Sequence, residues 1–193
     1  MPVARAARAK EYLARLHQVL PEKKASHCIF VAEYFASFAE SLGLDHDDAV
    51  AAGLLHDFCR CVPKEELVQR ARQLRLSISG VQLERPILLH GPVAAEECRR
   101  EFGLSDEVYE AIYWHTTGRP GLGRMGQGLC VADFAEPTRK YPEAGEAREL
   151  LRKDGFDAAL RFVAEKKAVF SQAKEVTDPN TEAFLIWLRR VQA

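Results

Sequence analysis

The sequence lacks long apolar runs and carries almost no net charge. No stretch reaches the ~20 apolar residues that span a bilayer, and residues 1–20 lack the apolar segment and cleavage site of a secretory signal. Lysine and arginine number 27 against 28 aspartate and glutamate, so there is no overall field to hold a nucleic-acid duplex or an anionic membrane. We therefore expect a cytoplasmic protein without such partners, in which anion binding is local.

Cysteine is scarce and irregularly spaced. The five cysteines are an odd number without the regular spacing of a secreted disulfide scaffold, which fits thiols kept reduced inside a cell. We expect them to act as small buried apolar residues. They are Cys28, Cys59, Cys61, Cys98 and Cys130.

The chain also lacks alternating β-branched segments bounded by turns, whereas helical periodicity runs through most of it. The predicted class is all-α. With 47% hydrophobic residues and no repeat or long linker, residues 1–193 are expected to form a single domain. Helices are predicted over about 3–20, 26–42, 45–58, 63–76, 90–102, 105–115, 128–134, 145–152, 156–173 and 181–191, with Ser26, Asp45 and Ser105 as N-caps.

Six polar residues lie at or near helix ends or within apolar helices, where an unpaired polar side chain would cost several kcal/mol. The sequence contains two His-Asp dipeptides that serve as a comparison. His46-Asp47 lies in a polar helix start and is interpreted as solvated capping chemistry, whereas His56-Asp57 follows the apolar AVAAGLL and should enter the interior. A lone histidine such as His17 is interpreted as an ordinary structural residue. The predicted metal ligands are His27, His56, Asp57, His90, His115 and Asp133.

This donor set favours a pair of metal ions. Imidazole and carboxylate together suit Fe, Mn, Co or Zn, and Asp57 can bridge two ions while His56 holds one. Two ions about 3.5–4 Å apart can clamp the attacking and leaving oxygens of a phosphoryl displacement. Asp57 is accordingly the central catalytic candidate.

The flanking sequences are more specific than the donors alone. The order H…HD…H…H…D resembles the HD superfamily of metal-dependent phosphohydrolases. Four segments resemble motifs of the bacterial YqeK-type symmetrical diadenosine tetraphosphate hydrolases: LLHDFCR, LLHGPVAA, YWHTTGRPG and VADFAEPTR. The resemblance extends over about Lys24 to Arg139.

That resemblance implies an HD-type helical bundle with a dinuclear, iron-type centre that cleaves diadenosine tetraphosphate into two ADP. It places His27, His56 and Asp133 on one metal and His90 and His115 on the other, with Asp57 between them. Attack by a hydroxide held between the metals on an inner phosphorus is the corresponding mechanistic hypothesis. A dinucleoside polyphosphate or another nucleotide is the expected partner, and a homodimer is left open.

One departure from the family concerns proton donation. The family often has lysine three residues after the HD aspartate, where this chain has Arg60. Guanidinium stays protonated near neutral pH, so Arg60 can stabilise a phosphate oxygen but is a poor proton donor. Arg60 is thus predicted to be catalytic together with Asp57. The predicted substrate contacts are Lys24, Thr116, Thr117, Gly118, Arg119 and Arg139.

Three further residues are given weaker roles. Glu136 is expected to shape the end of the Asp133 helix and to order a ligand through a hydrogen bond. Tyr113 and Trp114 adjoin His115 and are able to stack on an adenine, although aromatics at helical positions are more often core residues.

Three other functions are kept as alternatives. The metal core alone does not choose between the dinucleotide and a nucleoside monophosphate or cyclic dinucleotide. Some HD-fold proteins use a di-iron centre for oxygenation instead of hydrolysis. A non-catalytic nucleotide sensor is the third alternative, which the complete set of six ligands disfavours.

Overall fold

The apolar helical periodicity of the sequence becomes a set of packed helices in the computed structural model, which describes residues 6–173 and 177–191. These residues contain eleven α-helices and no strand, so the predicted all-α class is confirmed. The helices are α1 (Ala9–Val19), α2 (Glu22–Ala39), α3 (His46–Leu55), α4 (Lys64–Gln73), α5 (Gly80–Glu84), α6 (His90–Phe102), α7 (Asp106–Trp114), α8 (Arg124–Ala135), α9 (Pro142–Lys153), α10 (Phe156–Gln172) and α11 (Pro179–Val191).

Helix α3 lies at the centre of the packing. Its residues from Ala49 to Leu55 are all buried, as the apolar AVAAGLL predicts. Gly53 allows α2 to pack closely against α3, because a Cβ at this position would lie 2.4 Å from the Cα of Ala32. This contact fixes the spacing between the two helices that carry His27 and His56.

Two hydrophobic clusters surround this helix pair. One is built mainly from the first seven helices and includes Leu16 and Phe35. The other is built mainly from α8 to α11 and includes Leu160 and Leu188. The ring of Phe38 packs against both clusters. Helices α8 to α11 are therefore packed onto the helices around α3, which precedes His56-Asp57.

Local capping chemistry explains several of the helix starts. The carboxylate of Asp45 accepts the N–H of Asp48, and the hydroxyl of Ser105 accepts the N–H of Val108, as predicted. The prediction for Ser26 was wrong. Helix α2 begins one turn earlier, after Pro21, and the Ser26 hydroxyl instead donates to the Glu22 carboxylate.

Other boundaries also differ from the sequence predictions. Helix α5 and the 3₁₀ turn Pro86–Leu89 that follows it were not predicted, because this segment is too short for a clear periodic signal. A capping box between Ser79 and Gln82 starts α5. The predicted first helix begins at Val3, whereas α1 begins only at Ala9; residues 1–5 lie outside the described residues.

Two compositional expectations can be compared with the fold. Among the described residues, no helix is both long and apolar enough to cross a membrane. Cys28, Cys59, Cys98 and Cys130 are buried free thiols, as expected, whereas Cys61 is exposed.

Candidate metal centre

Helix ends deliver most of the candidate ligands to one place. His56 follows the last residue of α3, His90 opens α6 and His115 follows the last residue of α7. His27 lies in the second turn of α2, and Asp133 lies near the end of α8. Four of these residues line one cavity together with Asp57; the exception is His56, which is fully buried next to His27 and Asp57.

Asp57 stands between two groups of nitrogen donors. Its Oδ1 lies 3.1 Å from His90 Nε2 and 3.7 Å from His115 Nε2. Its Oδ2 lies 3.9 Å from His56 Nε2. The ligand atoms of His27, His56 and Asp57 lie within 4.8 Å of one another, and so do those of Asp57, His90 and His115. One carboxylate is therefore shared by two sets of donors that can each hold a metal ion.

Asp133 completes the group on the His27 side. Its Oδ1 lies 3.1 Å from His27 Nε2 and 3.7 Å from His56 Nε2. Arg139 donates to the same oxygen at 2.9 Å and lies 3.1 Å from His27 Nε2. A positive group thus already contacts two of the acceptor atoms at this end of the centre.

Backbone carbonyls fix the tautomers of three histidines. The Nδ1 atoms of His56, His90 and His115 lie 2.8, 2.5 and 2.7 Å from the carbonyl oxygens of the residues three positions earlier. A carbonyl only accepts, so each Nδ1 carries the proton and each neutral ring presents an Nε2 lone pair to the centre. His56 Nε2 is buried without a hydrogen-bond partner in the described part of the chain. Metal ions fit this arrangement, because convergent lone pairs need a cation.

The ionisation states suit the same purpose. Burial lowers the pKa of His56 to about 4 and also lowers the pKa of His90, so both rings are neutral near pH 7. Burial opposes ionisation of Asp57, but its contacts with the rings of His56, His115 and His90 outweigh that effect and hold the pKa well below its usual range. Asp133 likewise has a lowered pKa despite burial, chiefly because of its contact with the His27 ring. Neutral imidazoles and ionised carboxylates are the forms that bind metals.

His27 is oriented differently from the other three histidines. Its Nδ1 lies 3.3 Å from Oε1 of Glu136, whose side chain is almost completely buried. The Glu136 carboxylate also accepts the backbone N–H and the hydroxyl of Thr138, at 2.6 and 2.7 Å. Glu136 therefore holds His27 with its Nε2 toward Asp133, which agrees with the hydrogen-bonding role expected for it from the sequence.

The cavity above the centre has a volume of about 780 Å³ and a cationic lining. Of the predicted substrate contacts, Lys24, Thr116 and Arg139 line it, and so does the catalytic candidate Arg60. Sequence reasoning missed three lysines of the lining, Lys23, Lys140 and Lys167. Lys167 comes from α10 and donates to the carbonyl of His115 at 2.5 Å, a contact for which the sequence offers no local signal.

The other predicted substrate contacts lie outside this lining. Gly118 has a φ of +70°, and a Cβ there would lie 2.5 Å from the ring of Phe184. The guanidinium of Arg119 pairs with Glu110 at 2.7 Å, and the Thr117 hydroxyl donates to the carbonyl of Gly118. This turn packs against the C-terminal helices, so the cavity lining does not support a phosphate contact from it.

Tyr113 and Trp114 do not line the cavity either. Their rings contact each other, with centroids 4.8 Å apart, and both are partly buried against the hydrophobic clusters. The interpretation of these two residues as core aromatics therefore agrees with the structure.

The remaining histidines lie apart from both donor groups. His46 contacts Asp47 on the surface, and the Asp47 carboxylate accepts the N–H of Ala7. His17 is exposed and lies 3.6 Å from Glu22. The two His-Asp dipeptides thus occupy the surface and interior positions expected from their neighbours.

Known proteins resemble this chain over most of its length. A protein of Bacillus subtilis (strain 168) named bis(5'-nucleosyl)-tetraphosphatase, symmetrical, is 31% identical over 180 residues, covering 93% of this chain and 96% of the relative. A protein of the same name from Staphylococcus aureus is 33% identical over 163 residues, covering 83% and 84%.

Structure and family comparisons agree with these relatives. A crystal structure described as a predicted HD superfamily hydrolase from Clostridium acetobutylicum matches with a TM-score of 0.88 at 24% identity, covering 94% of this chain and 97% of that one, which supports the fold alone. The HD domain family model matches residues 25–167, which include all six candidate ligands. An HD domain implies dependence on divalent metal ions, and two clusters of His and Asp are able to bind them here. The chain belongs to the HD domain family.

Proposed function

We propose that this protein is a metal-dependent hydrolase that cleaves diadenosine tetraphosphate symmetrically into two ADP. The observation that carries the proposal is the position of Asp57, shared between two donor groups at the base of a cation-lined cavity. A polyphosphate chain is a ligand that needs both metals and cations. The names of the Bacillus subtilis and Staphylococcus aureus relatives support this choice of substrate.

The proposed metal ligands are those predicted from the sequence. His27, His56 and Asp133 form one set, His90 and His115 form the other, and Asp57 serves both. When bound, the metal pair would lower the pKa of water and polarise the phosphoryl group. Mixed imidazole and carboxylate donors suit iron, and also Mn, Co or Zn. Iron is our choice because the chain resembles the iron-type HD phosphohydrolases.

The cationic side chains bind and orient the phosphates in this proposal. Arg139 already contacts Asp133 and lies at the cavity wall, where a guanidinium can donate to two phosphate oxygens. On the other side, Nε of Arg60 lies 3.9 Å from Asp57 Oδ2, next to the shared carboxylate. Arg60 stabilises negative charge on the phosphates and does not supply a proton. Lys24 and Thr116 add further contacts from the lining.

The direct experiment is product analysis. Metal-replete protein is incubated with diadenosine tetraphosphate and the nucleotides are resolved by chromatography. Two ADP per substrate are expected, whereas AMP plus ATP would contradict symmetrical cleavage. The matched control is Asp57→Asn, which keeps the side-chain size but weakens the shared ligand and should abolish turnover.

The same assay separates the competing substrates. Parallel reactions with AMP and with a cyclic dinucleotide are expected to show much slower turnover. Faster turnover of either would assign the centre to another nucleotide. Oxygen consumption with reduced iron would point to oxygenation. A cytoplasmic location remains a prediction of the sequence.

A further inference from the structure

Phe30 is an aromatic side chain that the fold itself does not explain. It is 37% exposed, and it belongs to neither hydrophobic cluster of the described chain. No ring contact joins it to another aromatic of the described residues. It lies instead in the lining of the cavity above the metal centre, among charged and polar side chains. Part of this phenyl ring therefore stays in contact with solvent in the free protein.

The helix places this ring beside the proposed metal centre. Lys23, His27 and Phe30 follow each other at intervals of four and three residues along α2, so their side chains share one face of the helix. Phe30 is about one turn, or roughly 5 Å along the axis, beyond His27. Lys23 is about one turn before His27. The same face thus carries a cation, a candidate metal ligand and an aromatic ring in sequence.

The second aromatic residue of the cavity lining, Tyr141, already contacts Phe134. The Tyr141 ring meets Phe134 edge-on with centroids 5.3 Å apart, and its hydroxyl donates to the carbonyl of Phe134. Within the described chain, the cavity lining contains one phenylalanine, Phe30, one tyrosine, Tyr141, and no tryptophan. Of these two rings, Phe30 is therefore the one that remains available to a ligand.

The chemistry of the cavity identifies what that ligand is. Its lysines and arginines favour phosphates, and an exposed phenyl ring favours a flat aromatic group attached to them. A nucleoside diphosphate carries both. On the proposed function, we infer that Phe30 is the stacking platform for the nucleobase of one half of the dinucleotide, and that it favours purines because their stacking surface is larger.

Binding of ADP and of pyrophosphate tests this subsite. Both are titrated calorimetrically into manganese-loaded wild-type protein, Phe30→Ala and Phe30→Leu. Base stacking contributes enough that Phe30→Ala should weaken ADP binding roughly ten-fold. Pyrophosphate has no base, so its affinity should stay the same. Phe30→Leu keeps an apolar side chain without a ring and should behave much like the alanine variant.

A tryptophan variant gives an independent signal. Phe30→Trp should bind ADP at least as tightly as wild type, and its fluorescence should be quenched by ADP but not by pyrophosphate. Wild-type protein, whose two tryptophans lie elsewhere, is the control for this quenching.

Three results would overturn the inference. They are unchanged ADP binding by Phe30→Ala, an equal loss of ADP and pyrophosphate binding, and dissociation of a wild-type dimer by the substitution, which would assign Phe30 to a subunit interface. Failure of the proposed function is detected separately, because it requires that wild-type protein release no ADP from diadenosine tetraphosphate. The binding measurements do not depend on that reaction.

Discussion

The Nε2 atoms of His90 and His115 lie only 3.0 Å apart. Each Nδ1 faces a backbone carbonyl and carries a proton, so each ring in its neutral form presents its Nε2 lone pair to the other. Asp57 Oδ1 adds a third acceptor 3.1 Å from His90 Nε2. Three acceptors without a shared proton repel one another, and a cation between them removes the repulsion.

Metal removal should therefore destabilise the protein. Metal at about 100 times its dissociation constant contributes about 2.7 kcal/mol, which corresponds to roughly 5–10 °C in Tm for a chain of this size. Thermal melts before and after chelation measure this difference. An unchanged Tm would contradict metal binding by the folded state.

Metal stoichiometry should depend on which histidine is replaced. His115→Ala removes a donor from one group only, so the bound metal should fall from two ions towards one per chain. His46→Ala, at the exposed dipeptide, should leave two. Elemental analysis after gel filtration gives the count. Equal loss in both variants would show that His115 has no specific role.

Glu136→Gln should weaken metal binding about 10–100-fold, as is typical when the partner of a metal-ligating histidine is changed. The neutral amide cannot match the carboxylate as an acceptor for His27 and Thr138 together. Competition with a fluorescent chelator measures the affinity. Glu149→Gln alters an exposed carboxylate on α9 and serves as the control. If Glu136→Gln kept wild-type affinity, the orienting role would be wrong.

Substitutions at Arg60 test whether its charge stabilises the phosphates. Arg60→Ala should reduce kcat/KM roughly 10–100-fold, because an electrostatic contact to the phosphates near Asp57 is lost. Arg60→Lys should recover part of that loss. A wild-type kcat/KM in Arg60→Ala would contradict this electrostatic role.

The buried thiol of Cys98 should make stability fall at high pH. Burial raises its pKa well above the usual range, so the unfolded chain loses this proton first as the pH rises above about 9. The free energy of unfolding should decline there by up to about 1.4 kcal/mol per pH unit from this group. Urea titrations should show a shallower decline for Cys98→Ala. The exposed Cys61→Ala is the control, and an unchanged slope in Cys98→Ala would refute the assignment.

Gly53→Ala should destabilise the fold by about 1–3 kcal/mol, because the new Cβ would meet the backbone of Ala32. Gly145→Ala has the opposite expected sign. Its Cβ would meet no atom closer than 3.8 Å within α9, so the helix gains up to about 1 kcal/mol. Urea unfolding of both variants compares them directly. A neutral Gly53→Ala would show that α2 and α3 can separate at little cost.

Local sequence features predicted much of the secondary structure. Caps such as Asp45 and Ser105 act within one turn, and apolar periodicity acts within one helix, so both can be recognised without tertiary information. Helix α6 begins at His90 and ends at Phe102, as expected. The Ser26 cap failed because Pro21 offers an equally local start one turn earlier.

The sequence by itself determined the all-α class. It also determined the six polar residues that meet at the centre, because each lies at or near a helix end or in an apolar helix, where a buried polar side chain needs a partner. Tertiary packing decided what surrounds them. Lys167 reaches the cavity from α10, while Gly118, three residues after His115, is held against Phe184 and outside the cavity lining. Such contacts join residues distant along the chain, and their distances depend on how whole helices pack, which no local pattern specifies.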